Sequence, residues 1–288
     1  MSNLKTNVPI VFFHLGNPNY LQQVIDKSRE FNSRVVLLGD NTNTNLDVEH
    51  YDCTNFQSKD IEEFVKSYKH MSTNNLNFEI LCFVRWFFIR DFMKNTKTSV
   101  CFHADSDLLV YSDLSSVWSE FSDYRYCLMK PEDLPEENFR WSASGHNSFW
   151  TYDGICEFCN FLLDQYKSPE KLEELMDKWR YHIDNDKPGG VCDMTLIWRF
   201  IKHKGEENVG ILSEVTNGST FDDNISDPNN RKVDEYELDL DLGIKKITFE
   251  KGRPYGYNNH YKEKVKFHTL HMQGPKKALI RDFLNETV

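Results

Sequence analysis

The sequence predicts an α/β protein built on a mixed, mainly parallel central sheet. Two continuous apolar runs, 8–15 and 34–40, flank a segment with helical spacing of apolar residues. Strand, helix, strand at that length is a βαβ unit, which makes a parallel pair with a right-handed crossover. A third apolar run, 98–104, stops abruptly on Asp105-Ser106-Asp107, and late segments alternate apolar and polar as hairpin strands do.

Each element has its own signal. Val8 to Leu15 has the pattern of a strand buried on both faces and ends at the turn Gly16-Asn17-Pro18-Asn19. The 20–31 stretch places Leu21, Val24, Ile25 and Phe31 at helical intervals, and Arg34 to Asp40 is a second buried strand. Helices are predicted over 60–71 and 77–94, the second so aromatic (Phe78, Phe83, Trp86, Phe87, Phe88, Phe92) that it belongs inside the core. A strand is expected over 126–130, a small-residue loop over 141–150, and helices over 154–166, 169–180 and 193–204. The acidic, Asn-rich stretch 217–241 reads as a mobile surface excursion. Residues 244–250 and 265–271 read as hairpin strands, and 275–284 as a closing amphipathic helix. With no internal repeat and no linker, the chain reads as one domain, 1–288, with halves 1–111 and 112–288.

Composition narrows the function. The 288 residues are 39% hydrophobic, enough for one large core. A net charge of −11 and the lack of a basic stripe exclude a general nucleic-acid binder. Residues 1–7 lack an apolar segment of signal-peptide length, and nothing downstream approaches a membrane span. Seven cysteines form an odd, scattered set. The Cys156-Glu157-Phe158-Cys159 spacing lies on a buried helix face with no second pair nearby, so reduced thiols in a cytoplasmic protein are expected rather than zinc or disulfides.

Ligands of open parallel sheets bind beyond the carboxyl ends of the strands, where His14, Asp40, Asp105 and Asp107 all fall. Two carboxylates spaced i and i+2 offer hard oxygen ligands that let Mn²⁺ or Mg²⁺ bridge to a phosphate. Near the far end, His271, Gly274 and Lys277 fill a His-x-x-Gly-x-x-Lys pattern. A neutral imidazole suits Mn²⁺ as a third ligand. A glycine lets backbone approach a diphosphate, and a lysine neutralises it.

Asp-Ser-Asp closing a strand, with the late His-x-x-Gly-x-x-Lys, resembles the GT-A fold glycosyltransferases, specifically glycosyltransferase family 8. The resemblance implies a Rossmann-like nucleotide-sugar-binding fold. It also implies transfer of a hexose from a UDP-sugar to a saccharide or glycan acceptor, with a retaining outcome. Asp105, Asp107 and His271 would hold Mn²⁺ (or Mg²⁺) against the donor diphosphate, and Lys277, with Gly274, would clamp it. The family's arginine in an aromatic helix corresponds to Arg85, which either braces the nucleotide or pairs with Asp107. Asp193 corresponds to an acidic residue opening a late helix, a catalytic group or an N-cap. Asp40 accepts from uridine or ribose, or caps its own turn. His14 stands where the family carries an acidic or small polar residue near the uracil. His146, Asn147 and Trp150 are expected to grip acceptor hydroxyls and ring faces. The rival readings are a metal-dependent nucleotidyltransferase or nucleotide-sugar hydrolase, and a non-catalytic sugar-binding protein on the same fold.

Overall fold

The computed structural model describes residues 7–56, 58–133 and 138–285; the expectation for residues 1–6 lies outside them. The strands are β1 (Ile10–Phe13), β2 (Val35–Gly39), β3 (Glu49–Asp52), β4 (Val100–Ala104), β5 (Leu108–Val110), β6 (Tyr126–Met129), β7 (Ser144–Thr151) and β8 (Gly210–Ile211). Seven more follow: β9 (Ser219–Thr220), β10 (Leu238–Asp239), β11 (Ile244–Lys245), β12 (Thr248–Glu250), β13 (Arg253–Asn258), β14 (Glu263–Phe267) and β15 (Thr269–His271). The helices are α1 (Leu21–Arg29), α2 (Lys59–Ser67), α3 (Leu76–Thr96), α4 (Leu114–Val117), α5 (Tyr152–Lys167), α6 (Pro169–Asp184), α7 (Asp193–Lys204) and α8 (Ile280–Asn285).

The central sheet is mixed and mostly parallel, seven strands in the order β3-β2-β1-β4-β7-β6-β8. As the α/β reading requires, β1 runs parallel to β2 and to β4, with Phe13 opposite Leu38 and Phe12 opposite Ala104. Period-two alternation divides the strands' side chains between two cores. Ile10, Phe12, Leu37 and Phe102 pack with α1 and the C-terminal segment. Val11, Val36, Leu38 and Cys101 pack beneath α3, α5 and α7. Helix α3 carries apolar residues on several faces because it lies within that second layer, burying Phe83, Trp86, Phe87 and Phe92. Its start is fixed by Asn75, whose side chain accepts from the Asn77 and Phe78 amides. Strand pairing crosses the 111/112 division twice, β4 with β7 in the central sheet and β5 with β15 in a separate two-stranded sheet.

Several expectations needed correction. The stretch read as a small-residue loop, 141–150, holds all but the last residue of β7, which lies between β4 and β6 with seven of its eight residues buried. Its Ser, Gly, His and Asn residues are tolerated there because each polar side chain is bonded internally; Ser148 Oγ donates to the Gly145 carbonyl (2.7 Å) and accepts from Trp150 Nε1 (2.8 Å). Gly145 is required by packing, because a Cβ there would stand 2.2 Å from the Trp86 ring. We expect Gly145→Ala to cost about 1–3 kcal/mol by overpacking, visible as a lower Tm; an unchanged Tm would mean that the Trp86 ring yields freely.

The 217–241 stretch is a packed segment rather than a surface excursion. Phe221, Ile225 and Tyr236 are buried in the core, as are Asp222, Asn230 and Glu235. Asn230 Nδ2 reaches the carbonyls of Ser213 (3.0 Å) and Phe221 (2.9 Å), so the polar composition closes the chain on itself. Residues 244–250 and 265–271 do not pair with each other: β13, unforeseen, stands between β12 and β14. The closing helix is a 3₁₀ turn, Gly274–Leu279, that passes into α8. Among the described residues no helix is long and apolar enough to cross a membrane, and all seven cysteines are free.

Candidate metal and diphosphate site

The parallel register of β1, β2 and β4 sets His14, Asp40 and Asp105 at one edge of the sheet. His14 N donates to the Leu38 carbonyl (3.0 Å), and Asp105 N to the carbonyl of His146 on β7 (3.0 Å). After β4 the chain turns, Leu108 N donating to the Asp105 carbonyl (3.1 Å), and resumes as β5. Antiparallel pairing of β5 with β15 then brings the far end of the chain back, with His271 opposite Leu108 and Met272 N donating to the Asp107 carbonyl (3.0 Å). Asp105, Asp107 and His271 consequently converge, with a ligand atom of each within 4.8 Å of the others.

That donor set fits a hard or borderline divalent cation, being two carboxylates and one imidazole nitrogen. His271 Nδ1 lies 2.7 Å from the Asp223 carbonyl, an acceptor only, so Nδ1 carries a proton and Nε2 faces Asp107 Oδ1 at 3.4 Å. Without a cation, burial opposes charge on His271, but the Asp107 hydrogen bond and the charges of Asp107 and Asp105 prevail and hold its pKa at about 9. Burial also works against the Asp105 carboxylate, and Arg85 outweighs it, keeping that group well below the usual carboxylate range. Asp107 is lowered despite burial by its bonds to His271 and Lys277. Lys277 Nζ reaches Asp107 Oδ2 at 2.6 Å, while Lys276 turns to the Leu242 carbonyl. Gly274 opens the 3₁₀ turn carrying Lys277 with φ +59, a value that glycine adopts without strain.

Arg85 ties this cluster to α7. Its two terminal nitrogens reach Asp105 Oδ1 (2.7 Å) and Asp193 Oδ2 (2.6 Å), so its partners are Asp105 and Asp193, not Asp107. Asp193 is the first residue of α7, with Cys192 at the N-cap. Its carboxylate is drawn to Arg85 and to Trp86 Nε1 (3.3 Å) instead of capping the helix. Asp40 caps its own turn, accepting from Thr42 N (2.9 Å) and Thr42 Oγ1 (2.5 Å), and also holds Gly16 N (3.2 Å). His14 sits beside the cluster, its Nδ1 2.8 Å from Ser106 Oγ. Burial lowers its pKa against the pull of Asp107, Asp40 and Asp105.

The residues expected to grip an acceptor lie inside the protein. His146 and Asn147 are buried, and both direct a side-chain nitrogen to the Asp222 carbonyl, at 3.3 and 2.9 Å. Trp150 is not brought to the cluster: it stands opposite Cys101, away from Asp105, and packs fully buried against Trp86 and Phe158. Sequence reasoning missed Ser106, Asp222 and Asp223, and it gave no role to His103, whose Nε2 is 3.4 Å from Asp105 Oδ1. Two-residue alternation from Asp105 back along β4 was the available signal for His103. Nothing local marked Asp222.

No family model matches the chain, and no curated protein matches it. Among solved structures, mouse xyloside xylosyltransferase 1 in its apo form aligns over 71% of this chain and 84% of that one, at 10% identity and a TM-score of 0.49. A glycosyltransferase involved in glycosylation of the major capsid of PBCV-1 aligns over 56% and 68%, at 11% identity and a TM-score of 0.33. The galactosyltransferase LgtC, in complex with donor and acceptor sugar analogues, aligns over 56% and 65%, at 14% and 0.32. Likenesses this distant say nothing about activity, which has to be argued from the side chains.

Proposed function

We propose that this chain is a metal-dependent glycosyltransferase of the GT-A kind, moving a hexose from a UDP-sugar to a saccharide acceptor. The observation that carries the reading is the convergence of Asp105, Asp107 and His271 beside Lys277 at the carboxyl edge of the parallel strands. Asp105, Asp107 and His271 would hold Mn²⁺ or Mg²⁺, and such a cation supplies a positive charge where the departing diphosphate becomes more negative. Lys277 would exchange its bond to Asp107 for one to the diphosphate, adding a second positive group there. Asp193 is the carboxylate we assign to the sugar's developing positive charge, in keeping with a retaining transfer. Arg85, bonded to both Asp193 and Asp105, keeps these two carboxylates in fixed relation. His14 and Asp40, at the ends of the first two strands, are assigned to the nucleoside.

Isothermal titration of UDP with and without Mn²⁺ tests the reading. We expect at least about tenfold tighter binding with the cation, or roughly 1.4 kcal/mol. Affinity indifferent to the metal would sink the proposal. A panel of UDP-sugars with saccharide acceptors then ranks donors, and UDP release that ignores every acceptor would favour a hydrolase.

A pH dependence follows from His271. A cation can be ligated only by the unprotonated Nε2, and in the metal-free protein that nitrogen keeps its proton up to about pH 9. Proton and metal compete, so apparent metal affinity must rise with pH below that value, by about tenfold per unit, and flatten above it. Mn²⁺ titrations at pH 6 and pH 8 should thus differ about a hundredfold. Equal affinities at the two pH values, in a protein whose His271 ring is shown by NMR to titrate between them or above, would remove His271 from the ligand set.

A further inference from the structure

Three of the four polar groups of His271, its amide, its carbonyl and its ring Nδ1, bond to one short acidic segment, and the fourth, Nε2, faces Asp107. Asp222 Oδ2 accepts from His271 N at 2.9 Å. The Asp223 carbonyl accepts from Nδ1 at 2.7 Å, and Ile225 N donates to the His271 carbonyl at 3.2 Å. The segment is itself anchored at its centre. Asp222 Oδ1 and Lys245 Nζ are 2.7 Å apart with both side chains 0% exposed, and Lys245 Nζ also donates to the Asn224 carbonyl at 2.6 Å. The Asp222 carbonyl receives Asn147 Nδ2 and His146 Nε2, and the His146 ring stacks on that of His271 with centroids 4.1 Å apart.

A fully buried ion pair is weak evidence for stability, because the loss of hydration offsets the attraction, and the best-attested use of such a pair is to fix one arrangement among several. Here the arrangement fixed is that of an imidazole. A carbonyl can only accept, so Asp223 keeps the proton on Nδ1, and Nε2 is left as the nitrogen facing Asp107. We propose that Asp222, charge-balanced by Lys245, is a positioning residue that holds His271 in the place and tautomer needed to ligate the cation. Asp222 touches neither metal nor substrate; it acts through the backbone of His271 and through the path of its own segment. The inference rests on His271 being a metal ligand.

The test removes the charge pair as a unit, because deleting one partner would strand the other. Mn²⁺ affinity is read by electron paramagnetic resonance for wild type, for Asp222→Ala/Lys245→Met and for Asp222→Asn/Lys245→Met. The alanine version loses the acceptor for His271 N, and Mn²⁺ should bind about 10–100-fold more weakly, as for other losses behind a metal ligand. The asparagine version keeps an acceptor oxygen and should recover most of that affinity. UDP binding without metal should be alike in both. The proposal fails if the alanine version binds Mn²⁺ as tightly as wild type, or if both versions weaken equally. Asp107→Ala, run alongside, separates the two ideas: if it loses Mn²⁺ while the alanine double variant does not, the metal site stands and the clamp falls. A wild-type protein that binds no Mn²⁺ overturns both. Should the double variants not fold, imidazole ¹⁵N shifts of the Mg²⁺-loaded wild type decide, and a His271 ring with its proton on Nε2 refutes the clamp.

Discussion

Asp107→Ala should abolish metal-supported donor binding while leaving the fold almost undisturbed. Asp107 is the shared point of the cluster, lying 3.4 Å from His271 Nε2 and 2.6 Å from Lys277 Nζ. Its loss takes away one of the two carboxylates proposed to hold the cation and also the group that bonds the lysine. The metal's contribution to a phosphate-type leaving group is several kcal/mol, so UDP-sugar cleavage should drop by about 10³-fold or more. The folded state should barely notice. Lys277 is 34% exposed and can return to water, and the backbone bond from Met272 N to the residue-107 carbonyl does not depend on the side chain. His271 loses the hydrogen bond and charge of Asp107 and keeps only the Asp105 charge and its Asp223 bond against burial, so its pKa falls and the ring gives up its proton more readily. A Tm within about 3 °C of wild type, roughly 1 kcal/mol for a protein of this size, alongside lost Mn²⁺ binding, is the expected pair of results. Retained Mn²⁺-dependent affinity for UDP would remove Asp107 from the site, and a collapsed Tm would recast it as structural.

What could be read in the sequence divides by the range of the interaction. Asp105, Asp107, His271 and Lys277 sit in short motifs whose chemistry is legible residue by residue, and the βαβ pattern already implied that strand ends meet at one edge. Their meeting itself is a matter of topology. The pairing of β5 with β15 places His271 beside Asp107, and no local pattern announces it. Composition misled wherever polar residues are satisfied internally. The Ser, Gly, His and Asn residues of β7 look like a loop, yet they occupy the middle of the sheet because Trp86 needs the space over Gly145 and each polar group has a partner. The same error turned 217–241 into a surface excursion, although Asp222 and Asn230 are among the most buried polar residues. Of the two readings open for Arg85, bracing the nucleotide or pairing with Asp107, the second is corrected, because the partner is Asp105 and the choice between the two aspartates depends on how α3 rotates against β4.

Arg85→Met should be strongly destabilising. The guanidinium is 13% exposed and bridges two carboxylates from different elements, Asp105 after β4 and Asp193 on α7. Burial disfavours its charge, and the two aspartates more than restore it, raising its pKa. Methionine matches the volume but leaves Asp193 without a counter-ion and Asp105 with only the nearby His271 charge. Removing one partner of a buried pair costs about 3–5 kcal/mol, because the charge left behind has lost its hydration. Asp105 is 31% exposed and can be partly rehydrated, whereas Asp193, at 5%, cannot, which places the expectation at the low end. About 3 kcal/mol corresponds to a Tm lowered by roughly 6–10 °C. Lysine should rescue little, since one ammonium cannot span two carboxylates as a planar fork does. The stranded charge on Asp193 makes a sharper prediction. Adding Asp193→Asn to Arg85→Met should restore part of the loss, by about 1 kcal/mol or more, whereas independent sites would add their costs. Strict additivity across that double-mutant cycle would show that the bridge between β4 and α7 carries no coupling, and that the two carboxylates are held in place by the packing of α3 alone.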